Sequence, residues 1–127
     1  MASFFIMKPT LILGASSFPY RYSFLAAQRL TSNNHHIYLL GKHDGIVAGT
    51  NIQTNPDEIE TPDLDTITIY LNPQNQREYY DWIIEKNPHR VIFNPGSENK
   101  ELADILRDHN IEVVEACTLV MLSTGQY

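Results

Sequence analysis

The chain has one cysteine, Cys117, in 127 residues. An internal disulfide is therefore excluded, and with no convincing secretory leader the expected compartment is the reducing cytoplasm. Positive charge is scarce too: 9 Lys and Arg stand against 15 Asp and Glu, a net charge of -6. No basic run or arginine–aromatic cluster offsets this, so nucleic acid is not an expected partner. Long apolar runs are missing. Residues 1–7 (Met-Ala-Ser-Phe-Phe-Ile-Met) are apolar but short, lack a leading cation, and run at once into Lys8 and Pro9. That suits neither a signal peptide nor a membrane span. They read as an N-terminal extension, an edge strand or a disordered lead to a single domain over residues 8–127. A chain of this length buries roughly two-thirds of its unfolded surface around one core.

The familiar catalytic signatures are absent as well. There is no Gly-x-Gly-x-x-Gly, and no phosphate-loop Gly-Lys-Ser/Thr, because His43 follows Lys42. Tyr38 and Lys42 have the spacing of a reductase Tyr-x-x-x-Lys pair, but they fall on a strand and the loop after it, where that spacing does not bring side chains together. Lys86, on a helix, is preceded at that interval by Trp82. His35, His36, His43, His89 and His109 are scattered without metal-ligand spacing, so no metal site is expected. No catalytic residue is identified, and binding rather than catalysis is the reading.

What is present is organised around residues 10–23. Leu11, Ile12 and Leu13 form an apolar strand, Gly14, Ala15, Ser16 and Ser17 a turn of small residues, and a helix opens after Pro19. Small residues allow close backbone approach, and the free N–H groups and dipole of the helix start supply partial positive charge, which suits a phosphate-bearing ligand.

Further along, Leu25, Ala26, Ala27 and Leu30 recur at helical spacing, with Ser23 as N-cap and Asn33-Asn34 as the stop. Residues 37–40 are a strand closing on Gly41-Lys42, and residues 50–65, punctuated by Pro56 and Pro62, are irregular chain with one short strand or turn of helix. Residues 66–71 are a strand, and Asn72 caps a helix that has Pro73 at its first position and runs to about Lys86. Residues 90–93 are a strand closing on Asn94-Pro95-Gly96, followed by a helix capped by Ser97 or Asn99, and residues 111–115 are the last strand. Leu119, Val120, Met121 and Leu122 are apolar enough to pack on the core or to make a homodimer or other protein contact. Trp82 with Tyr79 and Tyr80 reads as packing rather than a stacking platform, and Cys117 as a small buried residue. This alternation defines an α/β fold, a Rossmann-like three-layer sandwich with a mainly parallel five-stranded sheet. Ligands of such sheets lie across the carboxyl ends of the strands.

The second strand end narrows the ligand. Where dinucleotide folds carry an Asp or Glu for the ribose hydroxyls, this chain has Gly41 and Lys42. A lysine there favours a phosphorylated ribose, as in coenzyme A or NADP, and Arg21 adds a second cation.

Gly14-Ala15-Ser16, Pro19, Arg21-Tyr22-Ser23, Gly41-Lys42, Asn94-Pro95-Gly96 and residues 116–120 together resemble the standalone CoA-binding domain family. Its fold is similar to the N-terminal domain of the succinyl-CoA synthetase α subunit. The resemblance implies a diphosphate over residues 15–17, the 3′-phosphoadenosine near Arg21 and Lys42, and the pantetheine arm along Asn72, Pro73 and Gln74. The implied binding set is Gly14, Ala15, Ser16, Ser17, Arg21, Tyr22, Ser23, Gly41, Lys42, Asn72 and Pro73, with CoA or acyl-CoA as ligand. The synthetase's phosphorylated histidine and nucleotide-binding parts lie in other domains, so ligase chemistry is not implied. Two rival readings are an NADP-dependent oxidoreductase and a CoA-thiol redox protein using Cys117.

Overall fold

Side chains alternate strictly across the first strand: Leu11 and Leu13 pack into one apolar cluster and Ile12 into another on the opposite face. The computed structural model describes residues 5–127. Seven strands form one sheet: β1 Thr10–Leu13, β2 Ile37–Leu40, β3 Ile46–Val47, β4 Thr50–Gln53, β5 Thr66–Ile69, β6 Arg90–Phe93 and β7 Glu112–Glu115. Five helices accompany them: α1 Tyr22–Ser32, α2 Pro73–Gln76, α3 Tyr80–Lys86, α4 Lys100–Asp108 and α5 Thr118–Ser123. Residues 5–7 form no strand, and the rest of the reading for residues 1–7 lies outside the described residues.

The sheet order is β3-β4-β2-β1-β5-β6-β7, parallel throughout except for the antiparallel β3–β4 pair. Without β3, the six parallel strands lie in the chain order 3-2-1-4-5-6 of the dinucleotide-binding sheet, which reverses direction between β1 and β5. The expected five strands are corrected to seven. The added pair is a hairpin whose two turn residues, Ala48 (φ 51°) and Gly49 (φ 78°), both lie in the left-handed region, as a tight two-residue hairpin turn requires.

Two helical layers cover the sheet. Ala26, Ala27 and Leu30 of α1 pack with Ile12, Ile37 and Leu39, and Leu119 and Leu122 of α5 join them. The opposite face buries Trp82 and Ile83 of α3 and Leu102, Ala103 and Leu106 of α4 against Leu13, Ile67, Ile69, Val91 and Phe93. Trp82 is core, its indole N–H donating to the Pro56 carbonyl at 3.0 Å.

Asparagines punctuate the helices. Asn72 Oδ1 accepts from the Asn75 N–H at 2.9 Å and Asn99 Oδ1 from the Leu102 N–H at 3.2 Å. Asn34, Asn87 and Asn110, with φ of 66°, 50° and 59°, turn the chain out of α1, α3 and α4. Two expectations need correction here. The cap of α1 is Arg21, which makes no side-chain capping bond, and Ser23 lies inside the helix. The helix expected to run from Pro73 to Lys86 is broken by a 3-10 turn at Arg77–Tyr79. The break follows Gln76, whose buried side chain is tied to two loops rather than to the helix.

At the amino ends of the strands, Thr10, Thr66 and Arg90 stand in register across β1, β5 and β6. Arg90 is buried under the ring of Tyr127, donates from Nε to the Thr66 hydroxyl at 3.0 Å, and donates from a terminal nitrogen to the Tyr127 backbone oxygen at 2.8 Å. The Thr10 and Tyr127 hydroxyls bond each other. These bonds close the end of the sheet away from the cleft described next.

Candidate functional site

A cleft of about 590 Å³ lies across the carboxyl ends of β2, β1, β5 and β6. It straddles the point where strand order reverses, because the chains leaving β1 and β5 there diverge to opposite faces of the sheet. Its floor is built by close packing of small residues. A Cβ on Gly41 would come within 2.3 Å of the Ala15 carbonyl oxygen, and one on Gly45 within 2.9 Å of the Ser17 side chain. Gly14 has φ +94° and packs against Leu71, so the turn after β1 needs glycine on both counts.

The turn after β1 uses some donors and leaves others free. The N–H groups of Gly14 and Ala15 both donate to the Leu40 carbonyl at 2.9 Å, and the Phe18 N–H donates to Ser16 Oγ at 3.1 Å. In the first turn of α1, the N–H groups of Tyr22 and Ser23 bond no oxygen of the described residues, and Arg21 supplies no side-chain cap. The open donors of an eleven-residue helix therefore face the cleft together with Arg21, Lys42 and His43.

The far wall is held by a buried amide network. Gln76, with no exposed surface, donates from Nε2 to the Leu71 and Ser97 carbonyls, each at 2.8 Å, and accepts from Asn99 Nδ2 at 2.9 Å. The loops after β5 and β6 are thereby fixed to each other. Asn94, also buried, donates from Nδ2 to the Thr68 hydroxyl at 2.7 Å and to the Ile69 carbonyl at 2.9 Å. Tyr70 lines the cleft, yet its hydroxyl is buried and makes no hydrogen bond of good geometry near the Thr68–Thr118 hydroxyl pair. Burial pushes that phenol far above its ordinary range, and burial followed by the charge of Glu78 raises Tyr79.

Ten of the eleven residues expected at the site, namely Gly14, Ala15, Ser16, Ser17, Arg21, Tyr22, Ser23, Gly41, Lys42 and Asn72, line this one cleft. Pro73 does not; it fills the first position of α2, where its missing N–H costs no helical bond. Lining residues outside the expected set include Phe18, Tyr70, Asn75, Glu78 and Tyr79. Glu78 and Tyr79 sit on the 3-10 turn that interrupts the expected helix, and Asn75 lies in α2 just before it. Cys117 is half-buried ahead of α5 and does not line the cleft, and neither does Tyr38, whose hydroxyl donates to the Pro62 carbonyl.

Fold and cleft together define a Rossmann-type class of α/β domain with its cleft at the strand-order reversal. Within that class, the model of the CoA binding domain family matches residues 8–123, and the chain belongs to that family. No curated protein matches the chain. The crystal structure of an uncharacterized protein is 49% identical, with a TM-score of 0.91 over 96% of this chain and 99% of that one. The cell-free ID.343 protein of Thermus thermophilus is 17% identical, with a TM-score of 0.83 over 95% of this chain and 91% of that one. A hypothetical protein of Pyrococcus horikoshii OT3 is 21% identical, with a TM-score of 0.80 over 92% and 82%. The last two share the fold. No described helix is long and apolar enough to cross a membrane.

Proposed function

We propose that this domain binds coenzyme A or an acyl-CoA as a carrier, sensor or partner subunit of the reducing cytoplasm, without ligase chemistry of its own. One observation carries the reading: the uncapped first turn of α1 opens into a cleft whose rim bears Arg21 and Lys42. In this reading the diphosphate takes the open N–H groups of that turn, the 3′-phosphate takes Lys42 and Arg21, and the pantetheine arm runs past Leu71 and Asn72 toward the loop after β6. Charge-assisted bonds contribute about 1.5–3 kcal/mol each and a helix start up to about 2 kcal/mol, which after the cost of immobilising the ligand is consistent with micromolar affinity. The geometry of Cys117 does not favour the CoA-thiol redox alternative.

Calorimetric titration with CoA, dephospho-CoA and NADPH, repeated on Lys42→Ala, tests this reading. CoA binding that weakens when either the 3′-phosphate or Lys42 is removed is the expected result. Binding of NADPH without CoA would replace the reading with an oxidoreductase, and binding of none of the three would leave an interaction domain.

A further inference from the structure

The charges lining the cleft are segregated along its length. Arg21, Lys42 and His43 follow β1 and β2, at one end. Glu78 is the single carboxylate among the described lining residues, and it lies across the strand-order reversal from those three, on the 3-10 turn after β5, beside Asn75 and Tyr79. The described ion pairs all belong to α4, between Asp104 and Lys100 or Arg107, so no cation within bonding distance neutralises Glu78. Two strand spacings separate the ends of β2 and β5, about 10 Å of cleft floor, before the chain runs on through α2 to Glu78. An elongated ligand with its phosphates on the cationic end therefore carries its far end toward Glu78.

We propose that Glu78 is a specificity-determining residue, a charge filter that disfavours CoA thioesters whose acyl group ends in a carboxylate and favours those that are neutral or carry an ammonium group. This rests on the CoA reading above. The physical reason is that a second carboxylate brought near Glu78 in a half-solvated cleft has no cation to share, whereas an ammonium group has a ready partner. Asn75 and the Tyr79 hydroxyl stay neutral at ordinary pH and offer hydrogen bonds that do not discriminate by charge. Burial chiefly holds the Tyr79 phenol up, and the charge of Glu78 adds to it. The preferred class is thus free CoA or its small neutral and amino-acyl thioesters, and the excluded class is the dicarboxylic acyl-CoAs.

Three thioesters of similar acyl size test this by calorimetry: 3-aminopropionyl-CoA, propionyl-CoA and succinyl-CoA, each titrated into the wild type and Glu78→Gln. Affinity should fall in that order in the wild type, by about fivefold per unit of charge, as for unit charges roughly 6 Å apart at an effective dielectric of about 60, suited to an exposed carboxylate. In E78Q the three affinities should converge. Equal wild-type affinities, or an order that E78Q leaves intact, would overturn the filter while the CoA reading stands. Failure of propionyl-CoA and free CoA alike to bind would overturn both.

Discussion

Asn94 Oδ1, at the end of β6, accepts the backbone N–H of Thr118 at 2.9 Å, which is the opening N–H of α5. Nδ2 of the same side chain holds the Thr68 hydroxyl and the Ile69 carbonyl in the neighbouring strand. One buried amide thus couples two central strands to a helix start, and its bonds are all made inside the protein. Asn94→Ala leaves the Thr118 N–H unpartnered and takes one bond each from the Thr68 hydroxyl, which keeps Thr118, and the Ile69 carbonyl, which keeps only the long Asn94 backbone N–H contact at 3.4 Å. The expected cost is about 2–4 kcal/mol, since each buried group left unsatisfied costs about 1–3 kcal/mol and some regain partners on relaxation. Urea unfolding checks it: the midpoint should fall with an unchanged slope.

Gly41 faces the Ala15 carbonyl with no room for a methyl group, a Cβ there reaching within 2.3 Å of the oxygen. Its own φ is not in the left-handed region, so the demand is one of space rather than backbone conformation. Gly41→Ala should push the β1 turn away from the β2 end, lowering stability by about 1–3 kcal/mol and CoA affinity by more than tenfold. Thermal unfolding and titration on the same sample separate the two effects. Gly96→Ala serves as the contrast, because a Cβ there meets nothing within 4 Å and only its φ of +93° is unfavourable. A Gly41→Ala protein that binds CoA as the wild type does would show that the floor can yield.

Much of this architecture is legible from residues alone, because the decisive signals are local. The strands β1, β2, β5, β6 and β7, the Asn72 and Asn99 caps and the small-residue turn at Gly14 all have their cause within a few positions of chain. The parts that escape such reading depend on distant partners. The β3–β4 hairpin has strands of two and four residues joined through Ala48-Gly49, without the Asn-Gly or Asp-Gly pair that marks such turns. Ser23 looks like a cap by residue type, yet the helix starts two residues earlier at an arginine cap. The break after Gln76 is tied to the Leu71 and Ser97 carbonyls and to Asn99 of another loop, and no periodicity in residues 73–86 reports it. Glu78 reaches the site by that break.

His35 is buried at the closed end of the sheet. Its Nδ1 accepts the Lys8 N–H at 3.0 Å, and its ring lies 5.2 Å from Phe5 and 4.9 Å from Tyr127. Burial lowers its pKa from the ordinary 6.5, and the charges of Lys8 and Arg90 add to this against an opposing Asp65. The unfolded chain therefore binds the proton more readily than the folded one, so stability rises with pH across this window. The His35 contribution is complete above about pH 6.5 and is lost progressively as pH falls below that value. Thermal midpoints of the wild type and His35→Asn, compared between pH 5 and pH 8, check this. The amide keeps an acceptor for the Lys8 N–H but cannot titrate, so the variant's midpoint should depend less on pH below 6.5, and parallel curves would remove His35 as the cause.

Gln76 offers the sharpest separation between holding the fold and shaping the site. Its Nε2 spans the Leu71 and Ser97 carbonyls, and Leu71 and Ser97 both line the cleft from adjacent strand ends. Gln76→Leu keeps nearly the same volume and removes all three bonds, leaving two carbonyls and one Asn99 N–H donor unpaired; Asn99 Nδ2 retains the Tyr80 hydroxyl at 2.8 Å. The stability cost should be about 2–4 kcal/mol. The loops, no longer tied, should also sample wider separations, and binding must then restore the fixed arrangement at the expense of affinity. At a temperature where the variant is fully folded, CoA affinity should be several-fold weaker, and acetyl-CoA affinity should fall by the same factor, because the tie sets the width of the cleft and not its charge. A destabilised Gln76→Leu that binds both ligands as tightly as the wild type would confine this network to stability alone.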